Sequence, residues 1–194
     1  MQLEFRADGA HISGYVNVTE KKSRPVITPH GKVIEEIEPR AFEAAISRAG
    51  NITLTVDHNR SHVYAETRNG SLKLYEDSIG LHADVLITDK TLIELAQKGK
   101  IKGWSFGMYN VQDELEARAE DLPLRHIKAL DLDHVTLVVN KQPVYSATSV
   151  ELRADEESIV ETRSFENPVE VREALLSDFD NSAFWGRVNA VKHH

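Results

Sequence analysis

A two-residue hydrophobic period runs through most of the first 150 residues and restricts the chain to sheet-forming architectures. "AHISGYVNVT" (10–19) alternates. "NITLTVDH" (51–58) sets Ile52, Leu54, Val56 and His58 on one face and Thr53, Thr55 and Asp57 on the other. "RNGSLKLYEDSIGLHADVLI" (68–87) has a hairpin signal at Asn69-Gly70 and a second turn between Asp77 and Gly80, then alternates through Leu81, Ala83, Val85 and Ile87. "IKALDLDHVTLVV" (127–139) predicts a final long strand.

Two stretches break this period. "EPRAFEAAISRAG" (38–50) spaces Phe42, Ala45, Ile46 and Ala49 along one stripe, with Pro39 near its first turn and Gly50 as its stop. "TDKTLIELAQKGK" (88–100) offers Thr88 or Asp89 as cap, Leu92, Leu95 and Ala96 as its inner face and Gly99 as its stop. No βαβ repeat is visible. The expected class is α+β, mainly β: an antiparallel, barrel-like sheet with flanking helices.

Charge divides the chain. Residues 151–194 hold ten acidic and five basic side chains, so they supply −5 of the net −8. "ELRADEESIVETRSFENP" (151–168) lacks a sustained apolar period and reads as linker, whereas Val171, Leu175 and Phe179 predict a short amphipathic helix over 168–179. The expected organisation is a domain over 1–153 and an acidic tail over 154–194. An acidic chain argues against a nucleic-acid partner. No run approaches the ~20 apolar residues of a membrane span, and the N-terminus does not read as a signal peptide. With no cysteine there is no disulfide framework and no thiol nucleophile, which fits a reducing compartment.

The chemistry-bearing segment is "GKIKGWSFGMYN" (99–110). Gly103 to Gly107 spell G-x-S-x-G around Ser105, the pattern of a hydrolase nucleophile elbow. That elbow needs a strand entering the turn and a helix leaving it. Here a helix ends at Gly99 and a strand follows, so the elbow match is coincidental. Ser105 is left with two readings: a small residue packed beneath aromatic neighbours, or a nucleophile that needs a histidine base within hydrogen-bond reach. His58 is the best-placed base, a polar ring on an apolar strand face. His134, on the face of Leu130 and Leu132, is a candidate to orient that ring. On a regular strand Asp131 and Asp133 point the other way, and one of them substitutes only if the strand is bulged. His58 and His62 have H-x3-H spacing, but a strand leading into a loop is the wrong setting for zinc, and no metal or cofactor is expected. "KGKIKG" (98–103) reads as a solvated basic turn or a contact for an acidic substrate segment.

Taken together, "IEPRAF" (37–42), "LTVDH" (54–58), "NGSLKLYEDSIGLHADVLI" (69–87), "ELAQKGKIKGWSFGM" (94–108) and "RHIKALDLDHVTLVVNKQPVYSATSVELR" (125–153) carry a resemblance by their order and spacing. The chain resembles the prohead (capsid maturation) proteases of tailed phages, those of lambdoid-type phages in particular, which are related to the herpesvirus assemblins. The resemblance implies an assemblin-like fold, His58 as catalytic base and Ser105 as nucleophile. The common phage pattern has a glutamate where "HVTLV" puts His134, a departure similar to the Ser-His-His triad of the herpesvirus enzymes. The third member is thus His134 or its neighbour Asp133. Arg125 matches a family arginine, as an oxyanion-side or a structural group.

The implied activity is a serine endopeptidase without cofactor, acting in the host cytoplasm inside the procapsid. Its implied partners are the scaffolding segment of the major capsid protein and then itself, with homodimerisation as a switch. The competing class is a non-enzymatic scaffolding or capsid-assembly protein with the same fold. An esterase is disfavoured by the reversed elbow.

Overall fold

The computed structural model describes residues 1–28, 31–139, 150–152, 159–166 and 170–171. The strands are β1 Gln2–Arg6, β2 Gly9–Val18, β3 Val26–Thr28 and β4 Gly31–Ile37. Helix α1 Ala41–Arg48 follows, then β5 Thr53–Val56, β6 Ala65–Glu66, β7 Leu72–Glu76 and β8 Gly80–Ile87. Helix α2 Lys90–Gln97 precedes the two long strands β9 Gly103–Glu116 and β10 Leu124–Val138. Three short pieces close the described chain: β11 Val150–Leu152, β12 Ile159–Glu166 and β13 Glu170–Val171.

The class is α+β, mainly β, but the sheets are mixed rather than purely antiparallel. One open sheet runs β13-β1-β2-β8-β7, and the other runs β11-β12-β9-β10-β4-β3, with β5 joined to β10 and to β6. Three parallel ladders among the described residues depart from the antiparallel expectation, and two of them lie on β10. β4 runs along the start of β10, from Leu124↔Ile34 to Ile127↔Ile37, and β5 along its end, from His134↔Thr53 to Leu137↔Val56. Parallel pairing joins strands far apart in sequence and leaves no local turn signal, so periodicity alone does not reveal it. Helix α1 connects those two strands and packs on β10.

The helices use partly different caps from those expected. α2 starts as anticipated, with Asp89 Oδ1 accepting the Leu92 N–H at 2.8 Å, and Gly99 follows its end with a left-handed φ of 63°. α1 has no side-chain cap of its own. Instead the Glu76 carboxylate of β7 accepts the Arg40 and Glu43 N–H groups, each at 2.7 Å. Its end is Ala49 in an extended conformation, not a left-handed Gly50. The Asn69-Gly70 turn forms, but it links β6 to β7, which do not pair with each other.

The core lies between the two sheets. Trp104, Phe106 and Met108 of β9 are buried against a cluster that includes Ile12 and Val16 of β2, Val85 of β8 and Phe42 of α1. Phe42 and Phe106 meet edge to face with centroids 5.4 Å apart. Gly14 permits a close approach beside Trp104: a Cβ there would lie 2.9 Å from Met1 Cα and 3.4 Å from Trp104 Nε1.

A buried ionic cluster ties four strands together. Arg125 of β10 donates to Glu35 of β4 at 2.8 Å, to Glu161 of β12 at 2.8 and 3.0 Å, and to Asp113 of β9. Arg163 of β12 donates to Glu35 at 2.5 and 2.6 Å and to Glu161 at 2.5 Å. Burial disfavours the charge on Arg125, but its bonds to Glu161 and Asp113 outweigh that and raise its pKa. Burial likewise favours a neutral Glu161, and the two guanidinium groups override it and hold the carboxyl below its ordinary value of 4.5. Sheet pairing therefore continues past residue 153, through β12 on β9 and through β13 in parallel with β1. Of the helix expected over 168–179, residues 170–171 are strand and the rest lie outside the described residues.

Two outcomes follow for stability. Arg125→Met strands buried carboxylates and should cost about 3–5 kcal/mol, read as a fall in the urea midpoint. A carboxyl with a depressed folded pKa stabilises above its unfolded value and loses that contribution as pH falls through the folded one. Glu161 should thus help hold β12 in place at neutral pH and release its share below about 4.5, which hydrogen exchange of the β12 amides would follow.

Candidate active site

β5 ends at Val56, earlier than its hydrophobic period suggests, because the next two residues turn left-handed. Asp57 has φ 49° and His58 has φ 63°, and the Asn59 N–H closes the turn on the Val56 carbonyl at 2.9 Å. Two successive non-glycine residues at positive φ store strain that the surroundings must hold. Asp57 N–H donates to the Leu137 carbonyl at 3.0 Å, and its Oδ1 accepts the Val139 N–H at 2.8 Å. His58 N–H donates to Thr136 Oγ1 at 3.1 Å. The turn is thereby pinned to β10 from both of its strained residues. His58 sits on this turn and not on a strand face.

β9 and β10 supply the groups facing that turn. Thr136 stands opposite Ser105 on one side and Thr55 on the other, so one row of small hydroxyl side chains crosses three strands. Ser105 is fully buried, as is its partner Thr136. His134 stands opposite Gly107, which has no side chain to oppose the ring.

The register of β10 slips between Leu132 and His134, and this changes the geometry of Asp133. On a regular strand Asp133 and His134 would point to opposite faces. A bulge places an extra residue opposite one partner and removes that alternation. Asp133 Oδ2 consequently lies 2.7 Å from His134 Nδ1, and the Arg60 guanidinium lies 3.1 Å from the same oxygen.

The outcome is a continuous chain of polar contacts. Ser105 Oγ is 2.8 Å from His58 Nε2, His58 Nδ1 is 2.7 Å from His134 Nε2, and His134 Nδ1 reaches Asp133. The protons can be assigned from the far end. An ionised Asp133 beside Arg60 only accepts, so His134 carries its proton on Nδ1 and accepts at Nε2. His58 then carries its proton on Nδ1, leaving Nε2 bare toward the Ser105 hydroxyl. That is the tautomer a general base requires.

Ser105 Oγ has a second acceptor, the Arg163 carbonyl oxygen of β12 at 2.7 Å. β12 lies along the outer edge of β9, with Ser164 opposite Ser105. A cleft of about 380 Å³ opens beside Asp133, lined by Arg48, Asn51, Tyr109 and Asp131 among others.

The remaining sequence candidates fall elsewhere. Asp131 binds Arg48 at 3.0 Å and Asn110 at 2.9 Å and stays outside the histidine chain. Arg125 stands opposite Leu115, ten positions along β9 from Ser105, with its guanidinium engaged by the carboxylates of the ionic cluster. Both His58 ring nitrogens face Ser105 and His134, while His62 packs against Tyr64 with centroids 4.4 Å apart. Among the described residues no group of three candidate ligands could hold a metal ion. Sequence reading missed Thr136, Arg60 and the Arg163 carbonyl. Thr136 was within reach, two residues after His134 in "HVTLV"; the other two depend on tertiary placement.

A serine whose hydroxyl is backed by two histidines and a carboxylate is the equipment of acyl transfer. The family model for caudovirus prohead serine proteases matches residues 1–164, and the chain belongs to that family. By that membership it is a serine protease of the tailed-phage prohead, a capsid maturation protease. No curated protein and no solved structure matches the chain.

Thr136→Val would leave the His58 N–H without its acceptor while keeping the side-chain shape. We expect a loss of about 1–3 kcal/mol in urea unfolding, recovered by Thr136→Ser.

Proposed function

We propose that the chain is the serine endopeptidase that digests the scaffolding segment of the major capsid protein inside the procapsid, in the host cytoplasm, and then cuts itself. The observation that carries this reading is the unbroken contact chain from Ser105 through His58 and His134 to Asp133, in a member of a prohead protease family.

Ser105 Oγ attacks the peptide carbonyl carbon as its proton passes to His58 Nε2. The amine leaves with that proton, and water resolves the acyl-enzyme by the same route in reverse. His134 is the third member, accepting from His58 Nδ1–H and stabilising the imidazolium that forms. Asp133 is a positioning residue one step removed: it fixes the tautomer of His134, and the Arg60 guanidinium lies against its carboxylate. A neutral imidazole stabilises His58 less than a carboxylate in direct contact would, so the enzyme is slow. Enclosure with its substrate at high effective concentration makes slowness tolerable. Arg125 serves the fold through its carboxylates. Homodimerisation on assembly would couple activity to local concentration by mass action.

Co-expression with the capsid protein, followed by intact-mass analysis, tests the reading. The unaltered chain should shorten both polypeptides and Ser105→Ala neither, a loss of at least about 10³-fold. If the unaltered chain assembles shells and cuts nothing, the non-enzymatic scaffolding role replaces the protease. Asp133→Asn allows the wrong tautomer of His134, so kcat should fall by roughly 10²-fold or more with KM little changed, by analogy with carboxylate-to-amide changes in serine protease triads.

A further inference from the structure

β12 covers Ser105, and it does so as a peptide substrate would. It adds to the outer edge of β9 through six antiparallel pairings, from Glu161↔Met108 to Glu166↔Gly103. The carbonyl it brings to Ser105 Oγ, at 2.7 Å, belongs to Arg163. Arg163 stands opposite Phe106, so its side chain leaves on the face away from Ser105 while its carbonyl reaches the hydroxyl. The guanidinium ends on Glu35, delivered from β4 beyond β9 and β10, at 2.5 and 2.6 Å. The Ser105 hydroxyl and the Glu35 carboxylate thus meet one residue from opposite faces of the sheet.

Resting on the protease reading above, we propose that residues 159–166 are an intramolecular substrate, cut between Arg163 and Ser164, and that Glu35 selects the cationic side chain preceding the cut bond. Glu35 is 4% exposed. With β12 withdrawn, the described partners left in the cluster are Glu35, Asp113 and Arg125, two carboxylates against one guanidinium. An unbalanced buried carboxylate is costly, so the vacated site favours another cation. The peptide class it accepts is an extended strand with arginine or lysine before the scissile bond.

The seated strand is held one movement short of reaction. The Ser105 hydroxyl has one proton for which the Arg163 carbonyl and His58 Nε2 both compete. While the proton points at the carbonyl, the base is idle, and the carbonyl presents its oxygen rather than its carbon. Rotation of that carbonyl returns the proton to His58 and exposes the carbon. Oγ then bonds to it, the Arg163–Ser164 C–N bond breaks, and the His58 proton leaves on the Ser164 amine. Water hydrolyses the ester to the Arg163 carboxylate and restores Ser105. The cut divides the six pairings in half, so residues 164–166 lose covalent connection to the half anchored by Glu35. Until then β12 shields the site from other peptides.

The experiment is intact-mass analysis of the full chain expressed with the capsid protein. A fragment ending at Arg163, absent from Ser105→Ala, supports the proposal. If the capsid protein is shortened but the chain stays whole or ends elsewhere, the proposal falls and cleavage of the capsid protein by this site stands. If neither is cut, both fall. Arg163→Gln should reduce the fragment ending at position 163 at least tenfold and Arg163→Lys should retain it, with a cooperative urea transition of each variant reporting that it folds. Should Arg163→Gln abolish capsid cleavage too, the peptide IVETRSFE and its Arg-to-Gln analogue, offered to the processed wild-type chain, take its place. Cleavage after the arginine alone supports the proposal, and equal cleavage of both peptides overturns the role of Glu35.

Discussion

The ladder between β9 and β10 is the constraint on which the rest of this structure depends. It pairs Leu124 with Glu116 at one end and Val138 with Gly103 at the other, and the groups of the candidate site and of the ionic cluster are attached to it or to strands paired with it. Ser105 lies on one strand, His134, Thr136 and Asp133 on the other, and His58 on a turn hung from the parallel β5. A long, two-sided ladder fixes side-chain direction residue by residue, because each step alternates the face. Pre-organisation of the site is therefore a consequence of register.

The slip at Asp133 is the place where that register is broken beside the histidines. A strictly regular β10 would set His134 and its neighbouring carboxylate on opposite faces, leaving the second imidazole without a group to set its tautomer. The bulge brings both to one side at the expense of local ladder hydrogen bonds. The left-handed pair at Asp57 and His58 plays the complementary part on the facing turn. Bonds from both residues to β10 hold the strained backbone, and the strained backbone aims the ring.

The ionic cluster and the histidine chain lie on the same strands and meet in Arg163. Its guanidinium belongs to the buried carboxylates and its carbonyl to Ser105. β12 is thus held both by charge inside the fold and by backbone pairing at its edge. The electrostatics that stabilise this end of the sheet also decide what lies over Ser105.

Much of this was legible in the linear pattern. The two-residue period gave β2, β5, β8 and β10 and the mainly-β class. The helical stripes gave α1 and α2, with Asp89 and Gly99 as local signals of α2. The reversed elbow ruled out a strand-turn-helix nucleophile, because helix and strand order is itself a sequence property. Ser105, His58 and His134 were identifiable as candidates because polar groups among apolar neighbours stand out in a period. What the tertiary structure alone decided was which of these groups meet. The parallel ladders of β4 and β5 on β10, the cap that Glu76 provides to α1 and the return of β12 over Ser105 join residues distant along the chain. Such contacts have no local periodicity. The bulge at Asp133 was foreseeable as an alternative but not assignable, since one extra residue in a strand is defined only against the partner strand it fails to match.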